Sequence, residues 1–217
     1  MTIKVTTPPA VPALSLDSLK EHLRVIGTDE DSTLQLKLDA AIEIFQQYTS
    51  RALIDQTVEQ SFDLFPCERN FLLERSAKTI SGLTIEYYDD DNALTTFDAS
   101  KYAIADSDVP AKVFLLDGES WPSDIHDSRP KAVLVTYTVG EGAAETDVPA
   151  KYRHALTSMV GDFQNFREDS MFAPGGTIVE IPWSSAQFIT VFRTQFYEWK
   201  SQSRKARASN QYSGRTY

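Results

Sequence analysis

Cysteine is nearly absent from this sequence, since Cys67 is the only one among 217 residues. A single cysteine excludes an internal disulfide framework, and no base or metal-ligand spacing beside Cys67 indicates a reactive thiol. Long apolar runs are also missing, because no stretch approaches the roughly 18 residues of a membrane-spanning helix. The N-terminal segment contains three prolines and no unbroken apolar stretch, so it does not have the pattern of a signal peptide. We therefore expect a soluble protein with no membrane partner.

Clustered positive charge is absent from most of the chain. The formal net charge is −10 at pH 7, from 31 acidic and 21 basic side chains. Five basic residues follow the last acidic one, Glu198, so residues 1–199 hold 16 basic and 31 acidic groups, a net charge of −15. Such an acidic body disfavours wrapping around DNA, because phosphate binding needs clustered Lys and Arg. The positive charge of the tail after Glu198 suits contact with nucleic acid, and it suits an acidic protein partner at least as well.

Motifs of catalytic and metal sites are missing as well. The three histidines have neither HExxH nor Cys/His spacing. His126 is the most interesting of them because Ser123 and Asp124 lie close by in a predicted loop, but no G-x-S-x-G elbow accompanies them. We therefore expect that the protein is not an enzyme and that it binds no cofactor and no metal. The alternative function is a small hydrolase or accessory enzyme with its site in the β region near His126.

Two polar runs resemble ligand-binding loops without meeting their requirements. Asp89-Asp90-Asp91-Asn92 has the carboxylates that calcium prefers, but it lacks the glycine and the distant Glu of a calcium loop. Gly140-Glu141-Gly142 and Pro174-Gly175-Gly176 lack the Lys and Ser/Thr of a phosphate-binding loop. We interpret the acidic run as a solvated turn between strands and the glycine runs as turns.

The most informative pattern that is present lies between residues 29 and 53. Acidic residues with Ser32 or Thr33 are expected to cap the start of a helix. A second apolar set repeats at every fourth residue and projects from another side of this helix, where it faces either more core or a second copy of the chain. We interpret it as a subunit interface formed by Leu36, Ala40 and Ile44. The buried stripe of the same helix is predicted to contain Leu34, Leu38, Ala41, Ile42, Phe45 and Tyr48.

The residues before this helix predict an arm and a shorter helix. Residues 1–13 should be extended, because three prolines fix φ and remove backbone donors. Ser15 is the expected N-cap of a helix that reaches about Val25 and ends by Gly27. Residues 1–55 are therefore predicted to form an extended arm and a helical hairpin.

Alternation of polar and apolar residues replaces the helical pattern after residue 56. Short strands with no helical pattern between them imply antiparallel pairing, so residues 56–145 are predicted to be an inserted β-sheet or β-sandwich. The predicted strands cover residues 57–64, 71–73, 80–88, 94–97, 102–104, 112–116 and 131–139.

Helical periodicity returns in residues 146–170. Pro149 suits a first helical turn, and the apolar stripe that follows predicts packing against the first long helix, which would complete a helical unit interrupted by the β region. The fold class is thus α+β, with a helical bundle core, an inserted antiparallel β region and a C-terminal helix plus extended tail. The second stripe consists of Tyr152, Ala155, Leu156, Met159, Val160, Phe163 and Phe166.

Residues 171–217 are predicted to form a loop with a short extended piece at 177–181, a last helix that begins near Ser184, and a basic tail. The helix carries a seam of large aromatic side chains, which fit either a core or an anchor to another protein. A tail so poor in aliphatic residues would be disordered alone and would become ordered on binding.

Several short motifs occur in an order that resembles the head-to-tail connector proteins of tailed bacteriophages, also called adaptor or head-completion proteins. The resemblance covers about residues 5–170. It is carried by T-P-P-A at 7–10, L-S-L-x-x-L-K-x-H-L-R-V at 14–25, G-T-D-E-D at 27–31, S-R-A-L-I-x-Q-T at 50–57, S-W-P at 120–122, K-A-V-L-V-T-Y-T-V-G at 131–140, D-V-P-A at 147–150 and F-x-x-F-R-E at 163–168.

The resemblance implies a structural virion protein without enzymatic activity, made in the host cytoplasm and located in the neck of the particle. It implies a ring of twelve copies beneath the portal protein that joins it to a tail or neck protein. Double-stranded DNA would pass through the ring without specific binding, along a wall that repels it. A tail that contacts the packaged DNA is a further possibility.

The chain departs from the family pattern in residues 183–217, which extend beyond the second long helix. We predict that this extension docks on the portal, with its basic tail on an acidic portal surface. The predicted portal contacts are Phe188, Phe192, Phe196, Trp199, Arg204, Lys205, Arg207, Arg215 and Tyr217.

Overall fold

The computed structural model describes residues 2–106, 110–126, 128–165, 170–173 and 177–180. The predicted mixed α+β fold is confirmed, since helices and antiparallel strand pairs are both present. The chain divides into two compact units, and its path alternates between them. We call residues 2–7 and 57–139 the β unit, and residues 8–56 and 140–165 the helical unit.

The helical unit contains α1 (Leu16–Leu23), α2 (Asp31–Thr49) and α3 (Ala150–Asn165). All three helices contribute to one hydrophobic cluster, and the predicted packing of the two long helices against each other is confirmed. The fully buried side chains of this cluster include Leu19 of α1, Leu34, Leu38, Ala41 and Phe45 of α2, and Ala155, Leu156, Met159 and Val160 of α3.

Helix α1 begins and ends through local hydrogen bonds. Ser15 is its N-cap as predicted, and its hydroxyl oxygen accepts a hydrogen bond from the Ser18 N–H at 3.3 Å. The helix ends two residues before the predicted Val25, because Arg24 adopts a left-handed conformation with φ of 56°. The Val25 N–H then donates to the Lys20 carbonyl at 3.0 Å, which satisfies one of the last free carbonyls of the helix.

The acidic entry to α2 is present as predicted, with Glu30 as the N-cap and Asp31 in the first turn, but the predicted side-chain cap by Ser32 or Thr33 is wrong because no side chain caps the helix. A lysine from α1 binds this end instead. The Lys20 ammonium donates to the Asp31 carboxylate at 2.6 Å and to the Gly27 carbonyl at 2.5 Å. The start of α2 is therefore held by a contact between helices, which no local sequence pattern reveals.

The last turn of α2 also differs from the predicted stripe. Tyr48, which was expected to be buried, is 50% exposed, whereas the neighbouring Thr49 is fully buried. The Thr49 hydroxyl donates to the Phe45 carbonyl at 2.7 Å, which satisfies its polar group within the core. The remaining predicted positions of the stripe are buried or half-buried.

The β unit contains two sheets. The five-stranded sheet has the order β1-β2-β8-β4-β5, and the three-stranded sheet has the order β3-β7-β6. Every strand predicted between residues 56 and 140 is present within a few residues, and the extended N-terminal arm forms β1 at the edge of the larger sheet. The strands are β1 (Thr2–Thr7), β2 (Gln56–Phe62), β3 (Asn70–Leu72), β4 (Thr79–Tyr88), β5 (Leu94–Thr96), β6 (Tyr102–Ala105), β7 (Lys112–Leu115) and β8 (Val133–Gly140).

Beyond α3, residues 170–173 and 177–180 form an antiparallel pair, β9 (Ser170–Ala173) and β10 (Thr177–Glu180). The extended piece predicted near residues 177–181 therefore corresponds to β10. Its partner β9 lies in a stretch that the sequence pattern assigned to a loop.

Buried polar groups join β2 and β8 of the larger sheet to the segment after β3. The Gln60 side-chain amide donates to the Leu72 carbonyl at 3.0 Å and accepts from the Glu74 N–H at 2.8 Å. The Tyr137 hydroxyl donates to the Arg75 carbonyl at 3.2 Å and accepts from the Arg75 N–H at 3.1 Å. Burial raises the pKa of the Tyr137 phenol, so it stays neutral and keeps both bonds. These contacts fix the position of one sheet on the other.

Trp121, at the centre of the S-W-P motif, belongs to an aromatic cluster of the β unit. Its ring stacks on Phe65, with centroids 5.1 Å apart, and lies 5.6 Å from the Phe97 ring. The indole N–H donates to the Glu68 carbonyl at 2.9 Å. The motif therefore has a packing role in this unit.

Candidate assembly interface

The outer face of α2 carries an apolar side chain that the helical unit does not cover. Leu36 is 70% exposed. It lies nine positions before Phe45, which is about two and a half helical turns, so the two side chains point in opposite directions. Ala40 is half-buried, and Ile44 is half-buried against the hydrophobic cluster. Leu36 and Ala40 are thus the more accessible part of the predicted subunit interface.

The loop between α1 and α2 presents a second exposed apolar side chain. Ile26 is 99% exposed, although the residues around it are held in place. Lys20 binds both Gly27 and Asp31, and the Asp31 N–H donates to the Thr28 carbonyl at 3.2 Å. Sequence reasoning missed Ile26, because a lone isoleucine beside Gly27 resembles an ordinary helix end. A preordered loop with a projecting apolar residue is typical of an interface anchor.

The motif at residues 50–57 contacts residues 140–142 inside the helical unit. An Arg51 guanidinium nitrogen lies 3.5 Å from the buried Glu141 carboxylate, and the Asp55 N–H donates to the Gly142 carbonyl at 3.0 Å. A Cβ atom at Gly140 would lie 2.4 Å from the Asp55 nitrogen, so only glycine permits this approach. Close packing against the Asp55 backbone therefore explains Gly140, the last residue of β8.

An aromatic ring completes the surroundings of Arg51. The guanidinium carbon lies 5.5 Å from the centre of the Tyr152 ring, within the range of a cation–π interaction. Burial raises the pKa of the Tyr152 phenol, and the positive charge of Arg51 opposes that shift. Arg51 precedes the β insertion in the sequence, and it thus contacts two residues that follow the insertion, Glu141 and Tyr152.

The acidic run at residues 89–92 is a turn between β4 and β5, as predicted. The Asp89 carboxylate accepts from the Asp91 N–H at 3.1 Å and from the Ala93 N–H at 2.9 Å. Asn92 has φ of 59°, and the Arg129 guanidinium donates to its side-chain oxygen at 2.6 Å. The carboxylate of Asp89 thus stabilises its own turn. Across the described residues, no group of three or more His, Cys, Asp or Glu side chains could hold a metal ion.

The His126 region has a structural explanation. The His126 N–H donates to the Tyr88 carbonyl at 2.9 Å, and the Asp90 N–H donates to the Asp124 carbonyl at 3.1 Å. These backbone bonds extend the end of β4. Within the described ranges no hydrogen bond joins the His126 imidazole to Ser123 or Asp124.

The predicted portal contacts, Phe188 to Tyr217, lie outside the described residues, as does the predicted last helix. None of the helices that the structure describes combines the length and the apolar character needed to cross a membrane.

The fold thus combines helices that share one core, an inserted antiparallel β region and two exposed apolar side chains, Ile26 and Leu36. Residues 13–92 match the family model of the phage gp6-like head-tail connector protein. The resemblance to the head-to-tail connector proteins of tailed phages is thereby confirmed, and this chain is similar to a family of structural proteins rather than enzymes.

Solved structures share the fold over a longer stretch. A chain of the virion of the native gene transfer agent particle has a TM-score of 0.71 and 20% identity, covering 89% of this chain and 96% of its own. A chain from the neck of the empty particle, computed with C6 symmetry, has a TM-score of 0.70, 20% identity and the same coverage. A chain from the neck of the native particle, computed with C12 symmetry, has a TM-score of 0.69, 19% identity and the same coverage. A comparison with curated proteins finds no match.

Proposed function

We propose that this chain is a head-to-tail connector that assembles as a ring of twelve copies in the neck of a phage-like particle. The observation that carries the proposal is the connector family match over residues 13–92, together with a fold similar to chains from the neck of a gene transfer agent particle over 89% of this chain. The C12 symmetry of one such neck supports the number of copies. The ring would join the portal protein to a tail or neck protein.

Exposed apolar side chains supply contacts between neighbouring copies in this proposal. Leu36 and Ala40 on the outer face of α2 and Ile26 in the loop before it are available for burial against the next copy. Full burial of a leucine or isoleucine side chain is worth about 1.5–3 kcal/mol. Exposure of these side chains to water is unfavourable in a free monomer, and their burial between copies removes that exposure when the ring forms.

Negative charge gives the ring a second property. Residues 1–199 of each copy carry a net charge of −15, so the channel wall would repel the DNA phosphates. DNA that is repelled slides through the ring during passage of the genome. Rings should therefore retain no duplex DNA at ~0.15 M salt in a mobility-shift assay. Retention under these conditions would contradict a repelling channel.

The C-terminal extension is the proposed portal-docking element, with Phe188, Phe192, Phe196 and Trp199 as anchors and the basic tail on an acidic portal surface. Negative-stain imaging and mass photometry of the protein with and without its portal test this arrangement. We expect rings on the portal with the full chain and none after deletion of residues 184–217. The β unit should stay folded in the deleted protein, and unchanged portal binding would rule out this docking role.

A variant with Arg204, Lys205 and Arg207 all replaced by Glu separates the charged tail from the aromatic anchors. Reversal of charge should weaken portal binding more at low than at high salt, because screening reduces both attraction and repulsion. Phe192→Ala should weaken binding equally at both salt concentrations, because it removes apolar contact.

A further inference from the structure

Strand β1 is attached to the β unit mainly through its backbone. It pairs with β2 at the edge of the five-stranded sheet, with Ile3 opposite Gln60 and Val5 opposite Val58. Gln60 and Val58 are fully buried, but Val5 keeps 43% exposure, and every β1 residue except Ile3 is exposed. Burial of side chains therefore contributes little to the attachment, and the main-chain ladder contributes most of it.

The connection from β1 to the helical unit is exposed along its whole length. Residues 8–12 include three prolines, and the first buried residues after them are Ala13 and Leu14. Proline-rich segments are stiff and extended, at roughly 3.1 Å per residue, so these five residues span about 15 Å. The pairing with β2 shifts register between Val5 and Thr7, where the strand leaves the sheet. Such a bulge bends the chain away from its partner.

We propose that β1 is exchanged between neighbouring copies of this chain, so that β1 of one copy pairs with β2 of the next in the same antiparallel register. The inference rests on the proposed ring, since exchange needs a second copy beside each β2. The exchanged ladder contains the same hydrogen bonds as the one within a single chain, so exchange sacrifices no contact. The ring supplies the neighbouring β2 at high effective concentration.

The composition of β1 suits this role. Five of its six residues are β-branched (Thr2, Ile3, Val5, Thr6 and Thr7), and such residues favour strands. The edge of β2 offers main-chain donors and acceptors that can pair with β1 of the same chain or with β1 of a neighbouring copy. An exchanged strand links each copy to the next through backbone hydrogen bonds, which side-chain substitutions leave intact.

A disulfide between paired positions distinguishes the two arrangements. Lys4 and Glu59 are opposite each other in the β1–β2 ladder. The test protein carries Lys4→Cys and Glu59→Cys, and Cys67→Ser removes the exposed native thiol. A matched control carries Glu86→Cys and Thr96→Cys in the same background, because this pair joins β4 to β5 at the opposite edge.

Rings assembled with the portal are oxidised, a thiol assay verifies bond formation, and the products are separated on a denaturing gel without reductant. We expect a ladder of covalently linked chains from the Lys4/Glu59 pair and single chains from the control pair. Rings that contain only bonds within one chain would overturn strand exchange and leave the ring itself intact. Failure of the wild-type protein to form any ring would overturn the proposed function, and strand exchange with it.

A second measurement does not depend on crosslinking within the ring. Oxidation of the Lys4/Glu59 variant before assembly, at high dilution, locks β1 onto its own β2. We expect the yield of rings from this locked protein to be at least tenfold lower than from its reduced form. The oxidised control should give the same yield as its own reduced form. Deletion of residues 2–7 should reduce assembly similarly. Full assembly by the locked or the deleted protein would refute the exchange.

Discussion

Leu36→Ala tests whether the outer face of α2 is an interface between copies. Leu36 is 70% exposed in the monomer, so most of its apolar surface remains to be buried on assembly. Full burial of a leucine is worth about 1.5–3 kcal/mol, and the exposed part accounts for about 1–2 kcal/mol at each contact. This loss corresponds to a roughly 5–30-fold weaker contact between neighbouring copies, since about 1.4 kcal/mol is a factor of ten.

The assay is a concentration series followed by mass photometry, with the portal present, from which the midpoint of ring formation is read. Leu94→Ala is the matched control, because Leu94 is 49% exposed on β5, at the edge of a sheet. Both variants should keep monomer stability within about 0.5 kcal/mol of wild type, as surface substitutions usually do. The reasoning is refuted if Leu36→Ala shifts the midpoint no further than Leu94→Ala, or if it substantially lowers the melting temperature of the monomer.

Two stability predictions concern positions described above. Tyr137→Phe removes the hydroxyl that bonds both backbone groups of Arg75 and should cost about 1–3 kcal/mol. The control is Tyr48→Phe, at a half-exposed ring, which should lower the free energy of unfolding by less than about 0.5 kcal/mol. Urea titration measures both variants, and equal losses would show that the buried hydrogen bonds of Tyr137 do not stabilise the fold. Gly140→Ala should destabilise by about 1–3 kcal/mol, because its Cβ meets the Asp55 backbone. The control is Gly161→Ala in α3, where the nearest atom is 3.7 Å away, and it should stabilise the protein by about 0.5–1 kcal/mol. Calorimetry measures both variants, and a change of the same sign in the free energy of unfolding would contradict the packing argument.

Periodic patterns predicted the elements of this fold more accurately than their ends. The stripes of α2 and α3 and the alternation through β2 to β8 depend on spacing alone, so a single sequence reveals them. The predicted side-chain cap of α2 was wrong, and the contact that does bind the start of this helix comes from Lys20 on another helix. Tyr48 was misplaced because the last turn buries Thr49 instead.

The candidate interface was only partly predictable for the same reason. Leu36 stands out in sequence because it repeats on a second side of α2, but its neighbour Ile44 is half-buried, which depends on tertiary packing. Ile26 has no periodic partner, and only the exposed fraction of its side chain distinguishes it. The pairing of β1 with β2 joins residues at least fifty positions apart, and no local pattern encodes that contact.

The division of the helical unit between two distant chain segments affects how the protein is made. Helix α2 ends at Thr49 and α3 begins at Ala150, so about one hundred residues are translated between them. At ~5–20 residues per second, the ribosome needs about 5–20 s for that stretch. During this interval the apolar stripe of α2 has no α3 to cover it, while the strands of the insertion emerge and pair. The apolar stripe of α2 therefore remains incompletely covered until α3 has been translated.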